Sequence, residues 1–155
     1  MASAINPENL LFLINQNRKE NRLSPLKINS DLNQAANFKS KDMLNRNYFD
    51  HYYRGISPWD FIRNSGYDYL YAGENLAMDF RTAEGMVSAW MNSKTHRENI
   101  LNPDFTDVGI GVIKGNYIEN GTARNTTIVT NMFGQKKPRI VKIFNYLSQN
   151  ILNLF

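Results

Sequence analysis

The chain contains no cysteine. That absence excludes a disulfide framework, a thiolate nucleophile and any Cys-ligated zinc site, and it leaves the redox compartment open. Histidine is nearly as scarce, with two in 155 residues. No apolar run approaches the roughly 18 residues that a spanning helix needs. The first residues, Met1-Ala2-Ser3-Ala4, lack the charged and apolar regions of a secretory signal, which is compatible with a leader already removed. Nucleotide binding has no GxGxxG or Walker-type loop behind it, and no GxSxG elbow or SxxK pair supports a serine hydrolase.

What the chain does hold is the content of one folded domain. Its length suffices for a single core, and 42% of its residues are hydrophobic, with 9 Phe, 8 Tyr and 2 Trp. The net charge is +4, but the 18 basic residues are scattered. Their one cluster, Lys136-Lys137-Pro138-Arg139, has no aromatic platform beside it. It reads as a solvated linker, so no nucleic-acid partner is expected.

Helix signals come early. Asn6-Pro7-Glu8 combines a cap, a first-position proline and an acid in the first turn, and Leu10, Leu11, Leu13 and Ile14 extend that helix to about Glu20. Asn29-Ser30-Asp31 caps a second, carrying Leu32, Ala35, Ala36, Met43 and Leu44 to about Asn45. A short helix is expected over 59–64, ended by Gly66, and Thr82 caps another in which Met86, Val87, Trp90 and Met91 form one stripe. If that helix persists, Trp90, Ser93 and His96 share a side, and His96 emerges at its end. The Ala72 to Ala77 segment is ambiguous between strand and irregular turn. Asn120-Gly121 marks a hairpin joining a strand that starts at Asp107 to one through Thr126 and Phe133. With no βαβ alternation, the class is α+β. From Pro138 the stripe Ile140, Ile143, Phe144, Leu147, Ile151 and Leu154 predicts a C-terminal helix, so the expected organisation is a domain over 1–135 and a helical extension over 136–155 packed on it.

Chemistry concentrates in three short segments: YFDHYY with His51, AGENLA with Glu74, and AWMNSKTHRENIL with His96. Two imidazoles and a carboxylate are components of a divalent-metal site and of a general acid/base site alike, and composition does not choose between them. The spacing is not HExxH, so any metal site must be assembled from separated segments. The competing assignment for each histidine is a structural, hydrogen-bonded residue among aromatics. A triad of Ser93, His96 and Glu74 can be drawn, but a serine three residues before a histidine on one helix more naturally makes a local hydrogen bond.

The run GENLA, then AW-MNS-x-x-HR-x-NIL-NP-x-FT-x-VGIGV, then NMFGQ, resembles the CAP superfamily (SCP/PR-1-like) in its bacterial, cysteine-free form, over about Asn6 to Gln135. The resemblance implies an α-β-α sandwich with a small central antiparallel sheet and a large cleft. It implies that His51, Glu74 and His96 line that cleft, where they can hold a divalent metal such as zinc. The family's second acid falls on Ser93, which is not an acid, and this weakens the metal assignment. Asn75 and the Ser93 hydroxyl are expected to orient the histidines by hydrogen bonds. The aromatics around the motifs, Tyr48, Phe49, Tyr52, Tyr53, Trp59, Tyr67, Tyr69 and Tyr71, are candidates for a ligand-binding wall. The expected function is a monomeric, extracellular or surface-displayed binding module for a host or surface partner or a small apolar ligand. An anchor outside this sequence, as in a lipoprotein, is the expected route to a membrane. A metal-dependent hydrolase using the same cleft and a lipid or sterol carrier are the alternatives.

Overall fold

A computed structural model describes residues 2–138. Nine elements follow in order: α1 (Pro7–Glu20), β1 (Lys27–Ile28), α2 (Ser30–Arg46), α3 (Pro58–Asn64), β2 (Tyr69–Met78), α4 (Ala83–Asn92), α5 (Lys94–Ile100), β3 (Asp107–Glu119) and β4 (Thr122–Lys136). The expected caps form. The Asn6 side chain accepts from the Asn9 amide, Asn29 from those of Asp31 and Leu32, and Thr82 from that of Gly85. Each satisfies a donor that the first helical turn leaves free.

The four strands lie in the order β1-β3-β4-β2. β3 and β4 form the hairpin, and Asn120 and Gly121 both adopt the positive φ that a tight reversal of this hand requires. The expected small antiparallel sheet is formed by β3, β4 and β2, and at its other edge β1 pairs parallel with Asp107 and Val108, so the whole sheet is mixed. Two exposed residues are too few to carry a periodic signal. The ambiguous Ala72 to Ala77 segment is the middle of the ten-residue strand β2, antiparallel to β4.

Helices cover both faces, giving the α-β-α sandwich. α2 and α3 bury Leu32, Ala35, Ala36 and Ile62 against Met132, with Met43, Leu76 and Ile128 beside them. On the other face α1, α4 and α5 bury Leu10, Ile14, Met86, Trp90 and Ile100 against Val108, Ile110, Val129 and Phe133. α2 approaches β3 closely because the strand offers Gly109 and Gly111, where a Cβ would overlap the backbone of Leu32 and Ala36.

One expectation about helix length fails where it matters. The α4 helix stops at Asn92, Ser93 adopts extended backbone (φ −92, ψ 126), and α5 begins at Lys94. His96 therefore sits in the first turn of a new helix, not at the end of the old one. The C-terminal helix expected from Pro138 lies outside the described residues, and β4 runs to Lys136, one residue past the expected domain boundary at 135.

Candidate functional site

Side chains alternate across β2, so Glu74 and Leu76 face the α2 layer while Asn75 and Ala77 face the layer of α4 and α5. The outer edge of this strand is tied to the second layer by side chains. Asn99 Nδ2 donates to the Glu74 carbonyl (3.1 Å), and Trp90 Nε1 donates to the Leu76 carbonyl (2.9 Å). Below those ties the edge is open. There a cavity of about 300 Å³ lies between the loop after α2 and the start of α5, lined by His51, Trp59, Glu74, Thr95, His96 and Asn99 among others.

His51 reaches the cavity from the loop between α2 and α3, and its Nδ1 lies 2.6 Å from Glu74 Oε1. The two partners differ sharply in environment: the imidazole side chain is 45% exposed and the carboxylate 1%. Hydrogen bonding to Glu74 raises the His51 pKa above the usual imidazole value, outweighing the opposing effect of partial burial. Burial in turn pushes the Glu74 carboxyl above the usual carboxylate range, and the bond to His51 only moderates this. The two groups share one short hydrogen bond, and the proton in it belongs to the pair.

His96 is set differently. Its Nδ1 lies 2.8 Å from Ser93 Oγ, and its backbone carbonyl accepts from Asn75 Nδ2 at 3.0 Å. Asn75 also accepts from Asn99 at 2.8 Å, which locks the start of α5 to β2. Burial lowers the His96 pKa, and the charge on His51 lowers it further. The cleft thus holds one imidazole that favours its proton and one that gives it up.

Three of the sequence-predicted residues, His51, Glu74 and His96, line this one cavity. Ser93 does not line it; its hydroxyl stands behind His96. Asn75 lies on the opposite face of the strand and fixes the backbone of His96, not a ring. Glu74 pairs with His51, so a Ser93-His96-Glu74 relay is not formed. Of the aromatics, Tyr52 and Trp59 line the cavity. Tyr48 and Tyr67 are core residues, Tyr53 stacks on Tyr48 at 4.0 Å, and Tyr69 packs on Trp59.

Residues 11–132 match the family described as CAP, the cysteine-rich secretory protein family. The chain belongs to the CAP family. An uncharacterized protein of Bacillus subtilis, YkwD, is 45% identical over 111 residues, and an uncharacterized B. subtilis membrane protein, YlbC, is 33% identical over 112. These matches take in 71% and 72% of this chain but only 41% and 32% of the relatives, so the chain spans less than half the length of either. Among solved structures, an extracellular protein with an SCP domain from Bacillus anthracis superposes with a TM-score of 0.70 at 27% identity, covering 83% of this chain and 40% of its own. An outer surface protein of Borrelia burgdorferi gives 0.66 at 23% identity over 88% of this chain and all of its own, a likeness of fold.

In this CAP domain the donor set does not fit a metal held jointly by His51, Glu74 and His96. Glu74 Oε1 is engaged by His51, and Oε2 is buried with no partner among the described residues. No group of three His, Asp or Glu side chains among those residues is close enough to hold an ion. Two residues at or behind the cleft lie outside the sequence-predicted set, Asn99 and Lys39. Asn99 follows His96 at i+3 within the same motif and lines the cavity beside it. Lys39 sits at a core position of α2, in step with Leu32, Ala35, Ala36 and Met43, and that break in an apolar stripe was a readable signal.

Proposed function

We propose that this CAP domain is a secreted or surface-displayed binding module whose ligand sits between His51 and His96. The observation that carries the reading is the way the two rings are committed. Each has its Nδ1 occupied by a side chain of the protein, Glu74 or Ser93, and each keeps an Nε2 with no partner among the described residues. Such rings are fixed in orientation and free to bond to something in the cavity. Among the described residues, neither serine nor cysteine lines that cavity. Export is supported by the extracellular SCP-domain protein to which the chain is similar, and no helix among the described residues is long and apolar enough to cross a membrane.

The hydrolase reading needs a metal that this arrangement does not favour. Calorimetric titration with zinc separates the two: the binding module predicts weak uptake, whereas tight 1:1 binding lost in both His51→Ala and His96→Ala establishes the metal site instead. A carrier of apolar ligands has one observation in its favour. A groove of about 700 Å³ runs beside α1, lined by Leu11, Phe12, Leu23 and Pro25, with Phe12 68% exposed. Saturable uptake of a labelled fatty acid or sterol, blocked by Phe12→Asp, supports the carrier, and absence of uptake across a panel removes it.

A further inference from the structure

Behind the cleft lies a buried cation that the chemistry above does not use. Lys39 is fully buried in the middle of α2, and among the described residues no carboxylate forms an ion pair with it. Removing an ammonium from water is costly, and a lysine so placed must have its donors satisfied. All three are: Lys39 Nζ donates to the carbonyl of Asp50 at 2.8 Å, to that of His51 at 2.8 Å and to Tyr48 Oη at 3.4 Å. The aromatic faces of Tyr48 and Phe61 lie 5.0 and 5.4 Å away, which suits a cation stripped of water. Tyr48 passes the contact on by donating to Asp42 at 2.7 Å.

The placement of these bonds gives them a role. His51 stands in the stretch between α2 and α3, outside any helix or strand. Among the described residues, no hydrogen bond other than those from Lys39 reaches the main chain of Asp50 or His51. The imidazole must nevertheless arrive within 2.6 Å of a carboxylate that is itself fixed on β2. A loop without an anchor does not hold a ring to that tolerance. The carboxylates of Glu74, Asp42 and Asp50 also favour its charge from beyond ion-pair distance.

We propose that Lys39 is the positioning residue of the cleft: by binding the backbone carbonyls of Asp50 and His51 from inside the core, it sets the His51 imidazole on Glu74. Lys39 touches no ligand and acts only through His51. The proposal concerns the cleft assigned above to binding, but its test needs no ligand, so the two stand or fall separately.

The chain has two histidines, which makes the test a spectroscopic one. In ¹⁵N-labelled protein at neutral pH, the wild type is expected to show a downfield, exchange-protected Nδ1 proton for His51, and Lys39→Met is expected to lose it while the His96 signals stay in place. A folded Lys39→Met that keeps the His51 proton overturns the proposal, as does one in which both imidazoles shift alike, since that is general loosening. Should the variant fail to fold, the wild type decides the matter by itself. Lys39 ammonium protons must be visible, slow to exchange and in nuclear Overhauser contact with the Hα of His51, and their absence overturns the assignment.

Discussion

Glu74 gives His51 one carboxylate oxygen at 2.6 Å and keeps the other sealed in the protein with no partner among the described residues. The pair makes stability depend on pH with a definite sign. Because the folded-state pKa of His51 is raised above the ordinary value of 6.5, the folded protein holds a proton that the unfolded chain releases. The stabilisation is fully present below 6.5 and is lost as pH rises through the folded value. Thermal melts across that window are expected to fall more in the wild type than in Glu74→Gln, and parallel curves would contradict the coupling.

His96 carries the opposite sign. Its pKa is lowered from 6.5, so the unfolded chain binds the extra proton first and stability rises as pH climbs from the folded value to 6.5. Ser93→Asp places a carboxylate where Oγ now meets Nδ1. That substitution is expected to move the His96 titration above 6.5, read by proton NMR. It also restores an acid where the family resemblance expects one, so zinc affinity is expected to increase with it.

Two buried asparagines on the same face of the sheet, paired across β2 and β4, separate satisfied from unsatisfied polarity. Asn75 holds the His96 carbonyl and Asn99, whereas both amide atoms of Asn131 lack a partner among the described residues. Asn75→Leu is expected to cost about 2 kcal/mol in denaturant unfolding, because it strands two partners. Asn131→Leu is expected to be neutral or stabilising, since it removes a polar group that bonds to nothing.

Glycines divide in the same way. Gly109→Ala drives a methyl into the backbone of α2 at Leu32 and is expected to cost about 3 kcal/mol, with loss of the close α2 to β3 contact. Gly121→Ala meets no atom, and only its positive φ opposes it, for about 1 kcal/mol. Equal midpoints for the two variants in a denaturant titration would contradict this packing.

Much of the fold was legible because its signals are local. Asn6, Asn29 and Thr82 cap helices by their own side chains, and Asn120-Gly121 has the backbone freedom its turn requires. What escaped depends on contacts distant in sequence. Nothing between Ala89 and Ile100 is a glycine or proline, so the break at Ser93 had no local mark, yet it turns His96 toward the cavity and Ser93 behind it. β1 exists only because Asp107 and Val108 offer it an edge. His51, Glu74 and His96 stood out through their motifs, but which of them pair, and that Lys39 stands beneath, follows from packing alone.

On the function proposed above, His51, Glu74 and His96 form a ligand cleft and not a shared metal site. The most direct test is a crystal structure after zinc soaking, with anomalous data collected at the zinc edge. The expected result is His51 Nδ1 still on Glu74 and no ion bonded to all three side chains. An ion coordinated by His51, Glu74 and His96 together would contradict it.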